Sequence, residues 1–236
     1  MVRQLLRQEV ADGIKRYILD NRLRPGDPLP TETELCAALG ASRSSVREAV
    51  KVLDALDIVE VRHGHGTYVG RLSLSALVES LTFRGLLSPG DDVRVLADLV
   101  DVRELFERGM AERIVAALDA PRLAALDETV RRMRERPDGE GRGFVEADRA
   151  FHALLVAPLG NELIGQLSLA FWDVYAVVSG ELRSLARIDE RATADAHQGI
   201  VDAARAGDVD GFTRAVADHY APVRRRMARV RPGADA

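Results

Sequence analysis

The sequence predicts a mainly α protein in two parts: a small N-terminal head ending in a β-hairpin, then an all-helical antiparallel bundle of about seven helices. Three observations predict it. Helical periodicity of apolar residues runs through most of the 236 positions, interrupted where Gly, Pro and Asp cluster. One short stretch, "VEVRHGHGTYV" from Val59 to Val69, alternates instead with period two around two glycines, the pattern of a hairpin. The chain is also 47% hydrophobic, ample for two cores.

In the head, "RLRPGDPLPTETEL" carries three prolines and a glycine and cannot be helix interior. Thr31 with Glu34 forms a capping box that starts a helix over "ETELCAALG", and Gly40 stops it. "ASR" makes the turn, and Ser42 or Ser44 caps the next helix, which runs to about Leu56. Helix, Gly-containing turn and helix of this length is the helix-turn-helix pattern. Cys36 occupies a position that Ala could fill and reads as packing. As the single cysteine it excludes an internal disulfide and fits a reducing compartment.

The second part reads as helices over Ser73–Leu87, Val93–Leu118, Pro121–Glu135, Gly143–Val156, Glu162–Leu185, Asp189–Ala206 and Val209–Val230. Breaks fall at "SPGDD", "DAP", "RPDGEGRG", "APLGN" and "AGDVDG". The expected organisation is a head over residues 1–70, a linker and first bundle helix over 71–90, and a helical domain over 91–231. No apolar signal core opens the chain, and no run approaches the roughly 20 apolar residues of a membrane span, so the expected location is the cytoplasm, with no membrane partner.

Charge has to be read locally. The formal net charge is −4, and residues 1–70 carry ten Lys/Arg against ten Asp/Glu. On the second helix of the head, however, Val46, Ala49, Val50, Leu53 and Leu56 gather on one side, while Arg43, Ser44, Arg47 and Lys51 gather on the other. Cations near the start of such a helix sit where a recognition helix enters the major groove of DNA, and small serines there permit close approach to phosphate. Asp54, further along the face, is expected to lie beyond the groove. The hairpin then reads as a wing over the adjacent minor groove, with His63, His65 and the glycine backbone at its tip. The plainer alternative is a solvated helix followed by an ordinary hairpin.

"RPGDPLPTETELCAALGASRSSVREAVKVLDALDIVEVRHGHGTYV" resembles the winged-helix domain of GntR-family transcriptional regulators, whose pattern runs PG, LP, helix, small turn, SR, VREA and a GxGT wing. The resemblance implies that Ser42, Arg43, Ser44, Ser45 and Arg47 contact the major groove or phosphates, and that His63, Gly64, His65 and Gly66 are wing contacts. Thr33 departs from it, standing where many members carry a basic residue that touches DNA.

The bundle places polar residues on apolar faces. Phe144, Asp148, Phe151, His152 and Leu155 share one face of the fourth helix. His197 falls between Ala194 and Val201 on the sixth, and His219 lies among Phe212, Val216, Val223 and Val230 on the last. A carboxylate and three imidazoles aimed inward must satisfy one another or a metal. Such a set suits Zn, Ni, Co, Fe or Mn, with coordination positions left open. Arg103 shares a face with Leu96, Leu99, Phe106 and Met110. A guanidinium there needs a carboxylate, from Glu107 one turn along or from a ligand. Asn161 reads as a cap for the fifth helix, Trp172 and Tyr175 as core packing, and Pro222 as a kink in the last helix.

"VDVRELFE", "DRAFHALL", "PLGNEL", His197 and "DHY" resemble the FCD domain of the FadR subfamily within the GntR family, over residues 73–230. This implies that Asp148, His152, His197 and His219 hold a divalent metal and that Arg103 helps bind a small carboxylate effector against it. It also implies a homodimer, for which a two-fold arrangement of heads calls for a palindromic operator in double-stranded DNA. The expected function is a metabolite-responsive transcriptional regulator, usually a repressor, and not an enzyme. Two rivals are a metal-dependent enzyme with a DNA-binding appendage and a dimerisation module with a structural metal. Against the enzyme, no second inward acid or base is recognisable near the four residues, nor any nucleophile-elbow or phosphate-loop motif.

Overall fold

The computed structural model describes residues 2–87, 91–135, 142–181 and 189–230. The chain divides into two compact units, Met1–Leu77 and Val78–Ala236. Among the described residues, no helix is long and apolar enough to cross a membrane.

The first unit contains α1 (Val2–Asp20), α2 (Glu32–Leu39), α3 (Arg43–Ala55) and an antiparallel hairpin of β1 (Val59–Arg62) and β2 (Gly66–Val69). Both halves of the Thr31/Glu34 capping box form, and Gly40 ends α2 in the left-handed conformation at φ 60°. Ser42, rather than Ser44, caps α3 by accepting the Ser45 amide. Val46, Ala49, Val50 and Leu53 turn inward against Val10, Ala11, Ile14 and Leu35, with Val59 and Val69 closing the core. The proline-rich stretch lies along β2, pairing Pro28 with Tyr68 and donating from Leu29 to the Thr67 carbonyl.

Where the chain leaves the hairpin it is tightly stapled. Asp57, at φ 54°, accepts the Leu72 amide on its carbonyl and the Ser73 amide on Oδ2, while Gly70 donates to the Ile58 carbonyl. A Cβ on residue 70 would lie 2.2 Å from the Asp57 carbonyl oxygen, so only glycine fits this crossing.

Beyond the hairpin come α4 (Ser75–Leu86), α5 (Asp91–Gly109), α6 (Ala111–Ala117), α7 (Ala120–Arg134), α8 (Arg142–Val156), a 3₁₀ turn (Ala157–Leu159), α9 (Glu162–Glu181), α10 (Glu190–Arg205) and α11 (Val209–Val230). The helix expected over Val93–Leu118 is two helices. Gly109 is a weak helix former, and Met110 leaves the helical region at φ −108°, ψ 9°. The last residues of the expected Glu162–Leu185 helix fall outside the described residues. Asn161 caps α9 through the Ile164 amide, as its position predicts.

Helix α7 packs on α8 and α10, α10 on α11, α11 on α5, and α9 on both α5 and α8. These contacts close a ring of six helices around an interior filled by Leu96, Val100, Leu126, Phe151, Leu155, Val174, Ile200, Phe212 and Val216. Helix α11 runs through Pro222, which has no amide to offer the carbonyl four residues back.

Candidate functional site

Two groups of residues carry chemistry, one in each unit. On α3 Val46, Ala49, Val50 and Leu53 are buried, while Leu56, expected on the same side, is the C-cap and is exposed, and Arg43, Arg47 and Lys51 are exposed on the opposite face. The Ser42 hydroxyl lies 2.9 Å from the hydroxyls of both Ser44 and Ser45 at the helix start. Each cation has a partner: Arg47 donates from Nε to both Glu32 oxygens at 3.0 and 2.8 Å, Arg43 reaches Thr33 Oγ1 at 3.4 Å, and Lys51 pairs with Glu48 at 2.9 Å. Asp54, further along the same face, accepts the Val61 amide at 3.0 Å and so ties α3 to the hairpin. At the hairpin tip His63, Gly64, His65 and Gly66 are all exposed, with Gly64 and Gly66 at φ 78° and 109°. Tyr68 steadies the tip by donating to the His65 carbonyl, and its ring lies under the Arg62 guanidinium at 4.1 Å.

In the helical ring, α8 supplies Asp148 and His152, α10 His197 and α11 His219. One ligand atom from each lies within 4.8 Å of all the others. Asp148 Oδ1 is 2.8 Å from His197 Nε2 and 3.6 Å from His152 Nε2. These three atoms and His219 Nδ1 are all buried, and none has a partner in hydrogen-bond geometry. In a protein interior such atoms are almost always satisfied. Four that converge, all of ligand type, form a cluster that could hold a metal ion.

A second ring of contacts fixes which nitrogens are available. His197 Nδ1 lies 2.8 Å from the Thr193 carbonyl, which can only accept, so Nδ1 carries a proton and it is Nε2 that has a lone pair in the neutral ring. His152 Nδ1 lies 2.7 Å from Glu107 Oε1, with the same consequence for its Nε2 in the neutral ring. Tyr220 donates to the same Oε1 at 3.0 Å. Burial opposes charge on all these groups, and at Asp148 and His152 the neighbours outweigh it. His152 and His197 hold the Asp148 carboxyl well below the usual carboxylate range despite its burial. Burial would lower His152, yet the Glu107 charge raises it above the ordinary imidazole value. Burial, reinforced by His197 and His152, pushes His219 well below that value and keeps it neutral.

Arg103 lies on α5 and is 5% exposed. Its Nε and Nη2 are buried without hydrogen-bond partners, and its guanidinium is 5.6 Å from the Tyr220 ring centre. Glu107, the internal partner suggested by spacing, accepts its hydrogen bonds from His152 and Tyr220 instead. Arg103, Asp148, His152 and His219 line a common cavity with Tyr175 and Arg226. Tyr175 is therefore a wall of that cavity, whereas Trp172 is core as expected. Glu107 is also the inward carboxylate that the sequence pattern failed to disclose near the four residues. Its position four after Arg103 made an intrahelical pair the simpler expectation, and nothing in the spacing links it to His152, 45 residues away. The Thr193 contact did leave a local trace, four residues before His197 on one helix. Of the stripe on α11, Phe212 and Val216 are buried, while the Val230 side chain lies outside the described residues.

Residues 6–69 match the model of bacterial regulatory proteins of the gntR family, and residues 98–222 match the FCD domain. The chain is a GntR-family transcriptional regulator. The first match contains the α3 cations and the hairpin tip, the second all four clustered residues and Arg103. Among similar proteins, the regulator is 26% identical to the galactonate operon transcriptional repressor of Escherichia coli strain K12, over 91% of its own length and 93% of that protein's. It is 52% identical over 91 residues to the transcriptional regulatory protein NedR of Micromonospora viridifaciens, a match spanning 39% of this chain and 65% of that relative. The solved structure of a Streptococcus agalactiae GntR protein superposes with a TM-score of 0.68 at 26% identity, covering 93% of this chain and 99% of that one.

Proposed function

We propose that the regulator binds a palindromic operator as a homodimer and that a small organic acid, held at a divalent metal in the helical ring, controls that binding. The observation that carries this reading is the set of four convergent ligand atoms, each buried and each without a hydrogen-bond partner. Asp148, His152, His197 and His219 would hold the ion. Three imidazoles and a carboxylate suit Zn, Ni, Co, Fe or Mn, and such an ion supplies positive charge and open coordination positions to an incoming carboxylate. Arg103 would take the other side of the acid, because its unpartnered Nε and Nη2 offer a fork matched to a carboxylate. The name of the E. coli relative, which refers to a sugar acid, points to the same ligand class.

On the DNA side, Ser42, Arg43, Ser44, Ser45 and Arg47 would contact the major groove and phosphates, and the tip from His63 to Gly66 the minor groove. Val102 and Leu105, neighbours on α5 exposed at 45% and 70%, suit burial between two copies. An acid can change DNA affinity only if it binds one arrangement of the heads better than another.

The test is thermal melting of untagged protein, stripped by chelator and refilled with single divalent metals, against a panel of organic acids. A native-state ligand raises the midpoint by mass action. An acid that stabilises only metal-loaded protein, and then releases operator DNA, supports the proposal. Turnover of the acid would favour an enzyme, and a metal effect with no response to any acid would leave a structural ion.

A further inference from the structure

We infer that Glu32 is a positioning residue that aims Arg47 at a base edge, and that it sets operator specificity without itself touching DNA. The inference rests on the proposal that the exposed face of α3 reads DNA. Glu32 is the first residue of α2, and both its carboxylate oxygens engage a single nitrogen of Arg47, Nε, at 3.0 and 2.8 Å. Among the described residues, Nη1 and Nη2 of Arg47 have no hydrogen-bond partner. An arginine held by Nε keeps its terminal nitrogens together as a planar fork, the group that chelates O6 and N7 of guanine. The orientation is set before the encounter, so less side-chain freedom is lost on binding.

Arg43, one turn earlier, has the opposite arrangement. Its contact uses a terminal nitrogen, Nη2, and its partner is the neutral hydroxyl of Thr33 at a long 3.4 Å. Arg43 thus keeps a charge that no carboxylate balances in this contact, which suits a phosphate. Arg47 has its charge balanced by Glu32, which suits a base and weakens its pull on any phosphate it meets. Specificity is a difference of affinities, and a paired reader lowers the affinity for every wrong sequence. Both partners are exposed, at 63% and 42%, so the pair contributes little to folding and Glu32 can be changed without loss of the head.

The experiment uses the full-length protein and random-sequence DNA duplexes. Base preferences are selected for the wild type, Glu32→Ala, Glu32→Gln and Arg47→Ala, and binding of each to a non-operator duplex is titrated against salt. Arg47→Ala is expected to lose preference at one base pair per half-site. Glu32→Ala is expected to lose roughly ten-fold discrimination at that same pair, while its non-specific affinity rises and its salt slope steepens by about one. Glu32→Gln, which keeps an acceptor for Nε but not the charge, should retain the base preference and still show the steeper slope. A wild-type preference in Glu32→Ala, or a uniform loss at all positions with a lowered melting midpoint, overturns the inference while leaving the DNA-reading proposal in place. If the wild type selects no sequence, or Arg47→Ala keeps the wild-type preference, the reading of α3 falls and the role of Glu32 with it.

Discussion

Replacing Glu107 by Gln probes the contact that spacing alone misassigned. One oxygen, Oε1, receives both His152 Nδ1 at 2.7 Å and the Tyr220 hydroxyl at 3.0 Å, and the other, Oε2, is buried without a partner. The amide preserves volume and can still accept at one atom. It removes the charge that makes His152 more basic, and it places a buried N–H₂ where Oε2 was. Second-ring partners of this kind are worth roughly 10–100-fold in metal affinity, or about 1.4–2.7 kcal/mol. Competition with a chromophoric chelator at fixed pH reads the affinity directly, and the melting midpoint of metal-free protein controls for folding. An affinity unchanged within about two-fold, with the fold intact, would refute the claim that Glu107 orients and polarises His152 for the metal.

His219→Ala should lower metal content by roughly ten-fold or more at limiting metal and abolish the acid response with it; normal occupancy by elemental analysis would remove His219 as a ligand. Arg103→Met should leave metal uptake in place and weaken acid binding by about 1.5–3 kcal/mol, the worth of hydrogen bonds to a charged group, read as the loss of the acid-dependent rise in melting midpoint. Arg47→Ala should eliminate specific operator binding in a mobility-shift assay while changing stability by less than about 1 kcal/mol, because its pair with Glu32 is exposed. Metal uptake should weaken as pH falls from about 8 to about 6. The Glu107 charge raises His152, so its proton persists to higher pH and must be displaced, whereas His219, already neutral, does not compete. Calorimetric titration in buffers of different ionisation enthalpy measures the released proton, and uptake independent of pH would count against His152.

Much of this was legible in the residues because it is local. The capping box at Thr31, the left-handed Gly40, the buried face of α3 and the inward stripe of α8 each depend on residues within about two helical turns of one another. Asp148, His152, His197 and His219 could be assembled because each betrays itself singly, as a polar residue on an apolar face. What stayed hidden depends on pairs brought together by the fold. Glu107 meets His152 across 45 residues and Tyr220 across 113, and Glu32 meets Arg47 across a turn whose geometry no periodicity encodes. The bond from the Val61 amide to Asp54 was hidden too, because that donor belongs to a backbone, which has no signature in sequence. The break at Met110 was masked by apolar spacing that continues in phase through Gly109.

The staple at Asp57 has a consequence for the head as a transplantable part. The amides of Gly70, Leu72 and Ser73 are fastened to Asp57 and Ile58, and Gly70 crosses where no side chain fits. A graft that ended at residue 70 would strip Asp57 of the two donors that hold its left-handed backbone. The natural seam for joining this head to another domain therefore lies after Ser73. A chimera cut there would carry its own closure with it, and its new partner could be chosen without regard to how the hairpin ends.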